Sequence, residues 1–198
     1  IKHHVGDRWH ESHKQLLGQI LRVLKTLSAE DHLTGGIPFC DKESTDHHSS
    51  KCMGRMNKEL IEFQKNPIPG ITVKTTDEVN VLDLFIKGPS SSPYEGGVFR
   101  FSLRFPRGYP FSPPIVCCMT QIFHCNMDLG ILICHESLSA NWSPVMHFTH
   151  MILQIQCLFQ EPDVDCADNS EAADLYISNR EEYNRRAATS TKLHAKVT

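Results

Sequence analysis

The alternation of apolar and polar positions divides the chain into stretches of different character. Residues 8–28 place Leu17, Ile20, Leu21, Leu24 and Leu27 at helical spacing, with charge and histidine on the other side. This predicts an amphipathic helix standing by itself in sequence. It would serve as a surface element docked on the domain or as an arm for a partner. Residues 29–52 turn polar and irregular, and Gly35, Gly36 and Pro38 break any regular element there, as in a linker. From Met53 the pattern tightens. "GRMNKELIEFQKN" carries Met56, Leu60 and Phe63 on one face and ends before Pro67, which predicts a helix.

Strand signals follow. "GITVKTT" and "EVNVLDLFIKG" are candidate strands, the second with Val79, Val81, Leu84 and Ile86 in partial alternation. "GGVFRFSLRF" alternates cleanly: Phe99, Phe101, Leu103 and Phe105 point one way, Arg100, Ser102 and Arg104 the other. One face buried and one wet is the signature of an antiparallel sheet backed on one side. "PPIVCCMT" supplies a fourth short strand. Beyond "FHCN" the pattern becomes helical, in "VMHFTHMILQIQCLF", "SEAADLYIS" and "NREEYNRRAATSTKL". The order is helix, four strands, a long irregular loop and three helices. It predicts an α+β fold with a four-stranded antiparallel meander and C-terminal helices on one face. The division expected is an N-terminal extension over 1–52 and a folded domain over 53–198.

Composition narrows the class only slightly. A length of 198 residues, 40% hydrophobic and 22% charged, suits an ordinary globular chain. The net charge of −3 gives no reason to expect a nucleic-acid or membrane partner. No apolar run approaches the roughly 18 residues that span a bilayer. The N-terminus lacks the apolar core of a secretory signal, and its start at Ile1 suggests a fragment or a processed form. Eight cysteines contain no C-x-x-C pair, which argues against a zinc site, and the chain is too long for a small disulfide scaffold. Reduced thiols point to cytoplasm or nucleus, and no metal is expected. Cys117 and Cys118 fall on opposite faces of a strand. Cys157 lies on the long apolar helix and is expected in the core.

The strings "GPSSSPYEGGVFRFSLRFPRGYPFSPPIV", "HCN" (His124 to Asn126), "NWSP" (Asn141 to Pro144) and "NREEYNRR" (Asn179 to Arg186) occur in one order. Together with the element order they resemble the ubiquitin-conjugating enzymes, from about Arg55 to Lys192. The resemblance implies the fold of that family. It also implies a catalytic cysteine at Cys134, ten residues after His124, that carries ubiquitin as a thioester. A thiolate attacks thioesters readily, and its own thioester stays reactive toward amines, so such a carrier needs no triad. Asn126 then serves as oxyanion donor or as a brace of the active-site loop, and His124 as a residue that shapes that loop. Asp165 would guide the incoming lysine. Arg55, Pro110, Phe111, Ser143 and Pro144 match the surface shared by the activating enzyme and RING-type or HECT-type ligases. An exposed aromatic such as Phe111 is a favoured interface anchor. The implied partners are ubiquitin, the activating enzyme, a ligase and a protein substrate. No cofactor is implied, since ATP is consumed by the activating enzyme.

The chain departs from the family pattern near the chemistry. Cys125 stands where the family has proline, Ile131 where it has glycine, and His135 where it has leucine. Cys166 takes the second of two acidic positions. Proline fixes φ, so Cys125 removes a constraint on the loop that presents Asn126. These departures keep open an alternative, a weakened homologue that acts as a scaffold for ubiquitin or ligases. Trp142 stands eight positions after Cys134, without the two extra residues found in SUMO-conjugating members, which favours ubiquitin as the modifier.

Overall fold

A computed structural model describes residues 50–130, 133 and 142–196. The predicted helix over 8–28 and most of the linker lie outside the described residues. Helix α1 spans Ser50–Lys65 and starts three residues ahead of the change in character at Met53. Its first turn already belongs to the fold: Cys52 is fully buried and its Sγ–H donates to Pro106 O at 3.3 Å. Cys52, Met56, Leu60 and Phe63 form the buried stripe, and Pro67 cannot continue the helix.

Strands β1 (Ile71–Thr75), β2 (Val81–Lys87), β3 (Val98–Arg104) and β4 (Ile115–Cys118) form one antiparallel sheet in sequence order, the predicted meander. Register places Val73, Leu84, Phe101 and Cys118 in one row, and Leu82, Leu103 and Val116 in another. Both rows point to the helical side, and a one-residue slip would turn every one of them to solvent. On the outer face Arg100 grips Asp83 through three hydrogen bonds of 2.9–3.1 Å. Val79, placed with the second strand by its apolar character, precedes β2 and is exposed. Gly97 opens β3 where α4 crosses it; a Cβ there would come within 2.6 Å of Thr191 Cγ2.

The C-terminal helices are α2 (Phe148–Leu158), α3 (Ser170–Ser178) and α4 (Arg180–His194). Asn169 caps α3 by accepting from Ala172 N–H, and Asn179 caps α4 by accepting from Glu182 N–H. Phe148, Met151, Ile152, Ile155 and Leu158 of α2 are buried in one core with α1 and the inner face of the sheet. That spacing corrects the expectation for Cys157. It lies with Leu153 on the opposite side of α2 and is exposed. Thr149, His150, Gln154 and Gln156 flank that side, so the overall apolarity of the helix was a poor guide to Cys157. Among the described residues no helix is long and apolar enough to cross a membrane.

Candidate functional site

After β4 the chain drops into the segment that carries His124 and Asn126, both buried although polar. The imidazole is used on both sides. Its Nδ1 accepts from Asn126 N–H at 2.9 Å, so Nε2 carries the hydrogen and donates to Leu158 O at 2.8 Å. Burial holds its pKa down at about 4, against the partial opposition of the Leu158 carbonyl. His124 is therefore neutral at physiological pH and joins the segment to the end of α2.

The Asn126 amide reaches the other way. Nδ2 donates to Asp163 O at 2.6 Å and Cys166 O at 3.0 Å, while Oδ1 accepts from Asp163 N–H at 2.9 Å. Both amide hydrogens are engaged, and they tie the segment to the loop that carries Asp165. Asp165 itself is exposed and donates its backbone N–H to Asp163 Oδ1 at 3.1 Å. The carbonyl of Cys166, at the second acidic position, is one of the two acceptors of the asparagine. Its backbone thus holds the loop whatever its side chain.

Cys125, between them, is fully buried, and burial pushes its thiol pKa up. A side-chain and a backbone bond hold it in place. Its thiol is hydrogen-bonded with Tyr183, and its carbonyl accepts from Asn169 N–H at 3.0 Å. Tyr183 pairs with Tyr94 at 2.7 Å, and Tyr94 donates to Phe123 O at 2.9 Å. Burial raises the pKa of both phenols, so they remain neutral donors. These two tyrosines escaped the sequence reading. Their only local signal was aromatic residues inside the two recognised strings.

Cys134, Ile131 and His135 lie outside the described residues. The chain just before Cys134 is fixed to the sheet: Gly130 N–H donates to Cys118 O at 2.8 Å and Ile133 N–H to Val116 O at 3.0 Å. Ile133 is buried.

The predicted docking residues form a second group. Arg55 Nη2 donates to Pro144 O at 3.2 Å and Met146 O at 3.3 Å. Trp142 Nε1 donates to Pro110 O at 2.6 Å, and Met146 N–H donates to Ser143 O at 2.9 Å. Arg55, Pro110, Ser143 and Pro144 are thus linked through two loops and α1. Phe111 stands beside them with 83% of its surface exposed, and Val145 with 79%. Glu59 and Tyr109, buried beneath this group, were not singled out from sequence. The signal for Glu59 was present: an acid on the apolar stripe of α1, between Met56 and Phe63.

The family model of the ubiquitin-conjugating enzymes matches residues 55–191. Ubiquitin-conjugating enzyme E2 S of Drosophila virilis is 32% identical over 153 residues, covering 77% of this chain and 74% of that protein. Ubiquitin-conjugating enzyme E2 13 of Saccharomyces cerevisiae is 35% identical over 143 residues, 72% of this chain and 94% of the yeast protein. Ubiquitin-conjugating enzyme E2 22 of Arabidopsis thaliana is 36% identical over 143 residues, 72% of this chain and 57% of its own length. A meander sheet backed by helices, a tied His124–Asn126 segment and matches of this extent lead to one assignment: the chain belongs to the ubiquitin-conjugating enzyme family.

Proposed function

We propose that Cys134 takes the C-terminal carboxyl of ubiquitin from the activating enzyme as a thioester and passes it to a substrate lysine or a ligase cysteine. In loading, the Cys134 thiolate attacks the carbonyl of the ubiquitin thioester on the activating enzyme and releases that enzyme's thiol. In discharge, a lysine amine or ligase thiol attacks the new thioester and Cys134 leaves as thiol. The observation that carries this reading is family membership over 55–191, with Cys134 ten residues after His124 and directly after the sheet-anchored Ile133.

Within it, His124 is a neutral structural link and Asn126 a brace, because both hydrogens of its amide are already donated to the loop at 163–166. Asp165 is the residue that guides an incoming lysine. Arg55, Pro110, Phe111, Ser143 and Pro144 make up the docking surface for the activating enzyme and for RING-type or HECT-type ligases. The chemistry asks for no metal or small cofactor of this chain. The residues ahead of α1 act as an extension to the catalytic domain, and cytoplasm or nucleus would keep the thiols reduced.

The test is incubation with activating enzyme, ATP and ubiquitin, followed by a non-reducing gel. A thiol-sensitive adduct is expected, absent in Cys134→Ala. If the wild-type chain forms none, the enzyme reading falls and the scaffold reading takes its place. With Cys166 at the second acidic position, discharge to free lysine is expected to be slower than discharge to free cysteine.

A further inference from the structure

An acidic side chain occupies α1 where its stripe calls for an apolar one. Met56, Leu60 and Phe63 are buried, and Glu59 among them is only 2% exposed. A carboxylate in such a place is costly unless its charge and lone pairs are met. They are met from three directions. Oε1 accepts from the Tyr109 hydroxyl at 2.7 Å and from Arg55 Nε. Oε2 accepts from the backbone N–H of Phe148 at 2.8 Å, in the first turn of α2, where the helix dipole favours an anion. Burial and the adjoining carboxylate push the Tyr109 pKa upward, so its hydroxyl remains a donor.

Each of these partners leads to a predicted docking residue. Arg55 turns its guanidinium inward, onto Glu59 and the carbonyls of Pro144 and Met146, and only 28% of its side chain is exposed. Tyr109 precedes Pro110 and Phe111, and its ring lies 6.0 Å from Trp142, whose Nε1 holds Pro110 O. Phe148 follows the loop that carries Ser143 and Pro144. The exposed ring of Phe111 has little packing of its own to fix its place. Its position is inherited from Tyr109 and from the turn closed by Phe111 N–H on Gly108 O at 2.7 Å.

We propose that Glu59 is a positioning residue for partner docking: its buried carboxylate locks α1, the Tyr109–Phe111 loop and the Ser143–Met146 loop into the single arrangement that the activating enzyme and the ligase recognise. This rests on the reading of Cys134 as the ubiquitin carrier. Glu59 touches neither ubiquitin nor the thioester. It acts through Arg55, Tyr109 and the start of α2.

Glu59→Gln keeps the side-chain volume and removes the charge. One end of the amide then has to present N–H to a donor, either at Phe148 or at Tyr109 and Arg55. The rate of thioester formation is measured against the concentration of the full chain at fixed activating enzyme, ATP and ubiquitin. Discharge of the purified conjugate to free cysteine, with no partner present, is measured alongside. The expected result is a KM for the activating enzyme raised about tenfold, with kcat and unassisted discharge within about twofold of wild type. Unchanged KM in a folded variant overturns the proposal. So does an equal loss in all three quantities, which is the mark of general destabilisation.

If Glu59→Gln does not fold, Tyr109→Phe removes one tie only. A KM raised about threefold supports the proposal, and no rise overturns it. A wild-type chain that forms no thioester refutes the carrier reading instead. The lock is then judged by amide exchange. Protection lost about tenfold at Phe111, Met146 and Phe148 in the folded variant supports it, and unchanged protection overturns it.

Discussion

His124 makes the stability of the site depend on pH in a way that can be calculated. It is fully buried, neutral, and joined to Asn126 N–H and Leu158 O. Its pKa of about 4 in the folded chain lies below the ordinary 6.5. For a base with a depressed pKa, the folded state favours the neutral form. The stabilisation is therefore complete above pH 6.5 and falls as pH drops from about 6.5 towards about 4. The whole difference corresponds to about 3 kcal/mol. About 2 kcal/mol of it is lost between pH 7 and pH 5. Glutamine at this position is neutral throughout and keeps an amide that can donate to Leu158 O. At pH 7, His124→Gln should cost about 1–3 kcal/mol, because Asn126 N–H is left buried without its acceptor. Urea denaturation of both proteins at pH 7 and pH 5 measures the two effects separately. The gap between wild type and variant should close by about 2 kcal/mol at pH 5, since every other titrating group is common to both. A gap that stays constant with pH would refute the account of His124 as a buried neutral imidazole.

Three further outcomes follow from the same geometry. Asn126→Ala removes three hydrogen bonds to the 163–166 loop and should lower stability by about 2–4 kcal/mol in denaturant titration; a loss below about 0.5 kcal/mol would return the asparagine to an oxyanion role alone. Phe111→Ala should leave stability within about 0.5 kcal/mol, given how exposed the ring is. It should nevertheless reduce ligase-stimulated discharge about tenfold, a split that discharge kinetics beside thermal melting would reveal. In a Cys134→Ser chain treated with iodoacetamide at neutral pH, Cys157 should be modified long before Cys118. The first thiol is exposed, while burial pushes the second up to about 12, and peptide mapping by mass spectrometry reads the order.

The sequence by itself determined the elements and their order. Alternation in "GGVFRFSLRF" defined β3 and its inward face, because side chains in a strand alternate regardless of what surrounds them. Pro67 ended α1 for an equally local reason. The spacing of His124, Asn126 and Cys134 is where the resemblance places the proposed chemistry. Cys157 was misplaced because the overall apolarity of its helix was read in place of position: Phe148, Met151, Ile152, Ile155 and Leu158 recur at helical spacing and leave it on the other side. Only the tertiary structure decided what the polar residues do. Asn126 meets a loop 37 residues away, and Glu59 meets Phe148 across 89 residues. Partnerships of that range leave no period in the chain. They arise because a folded interior must satisfy each buried polar group with whatever donor or acceptor the packing brings near.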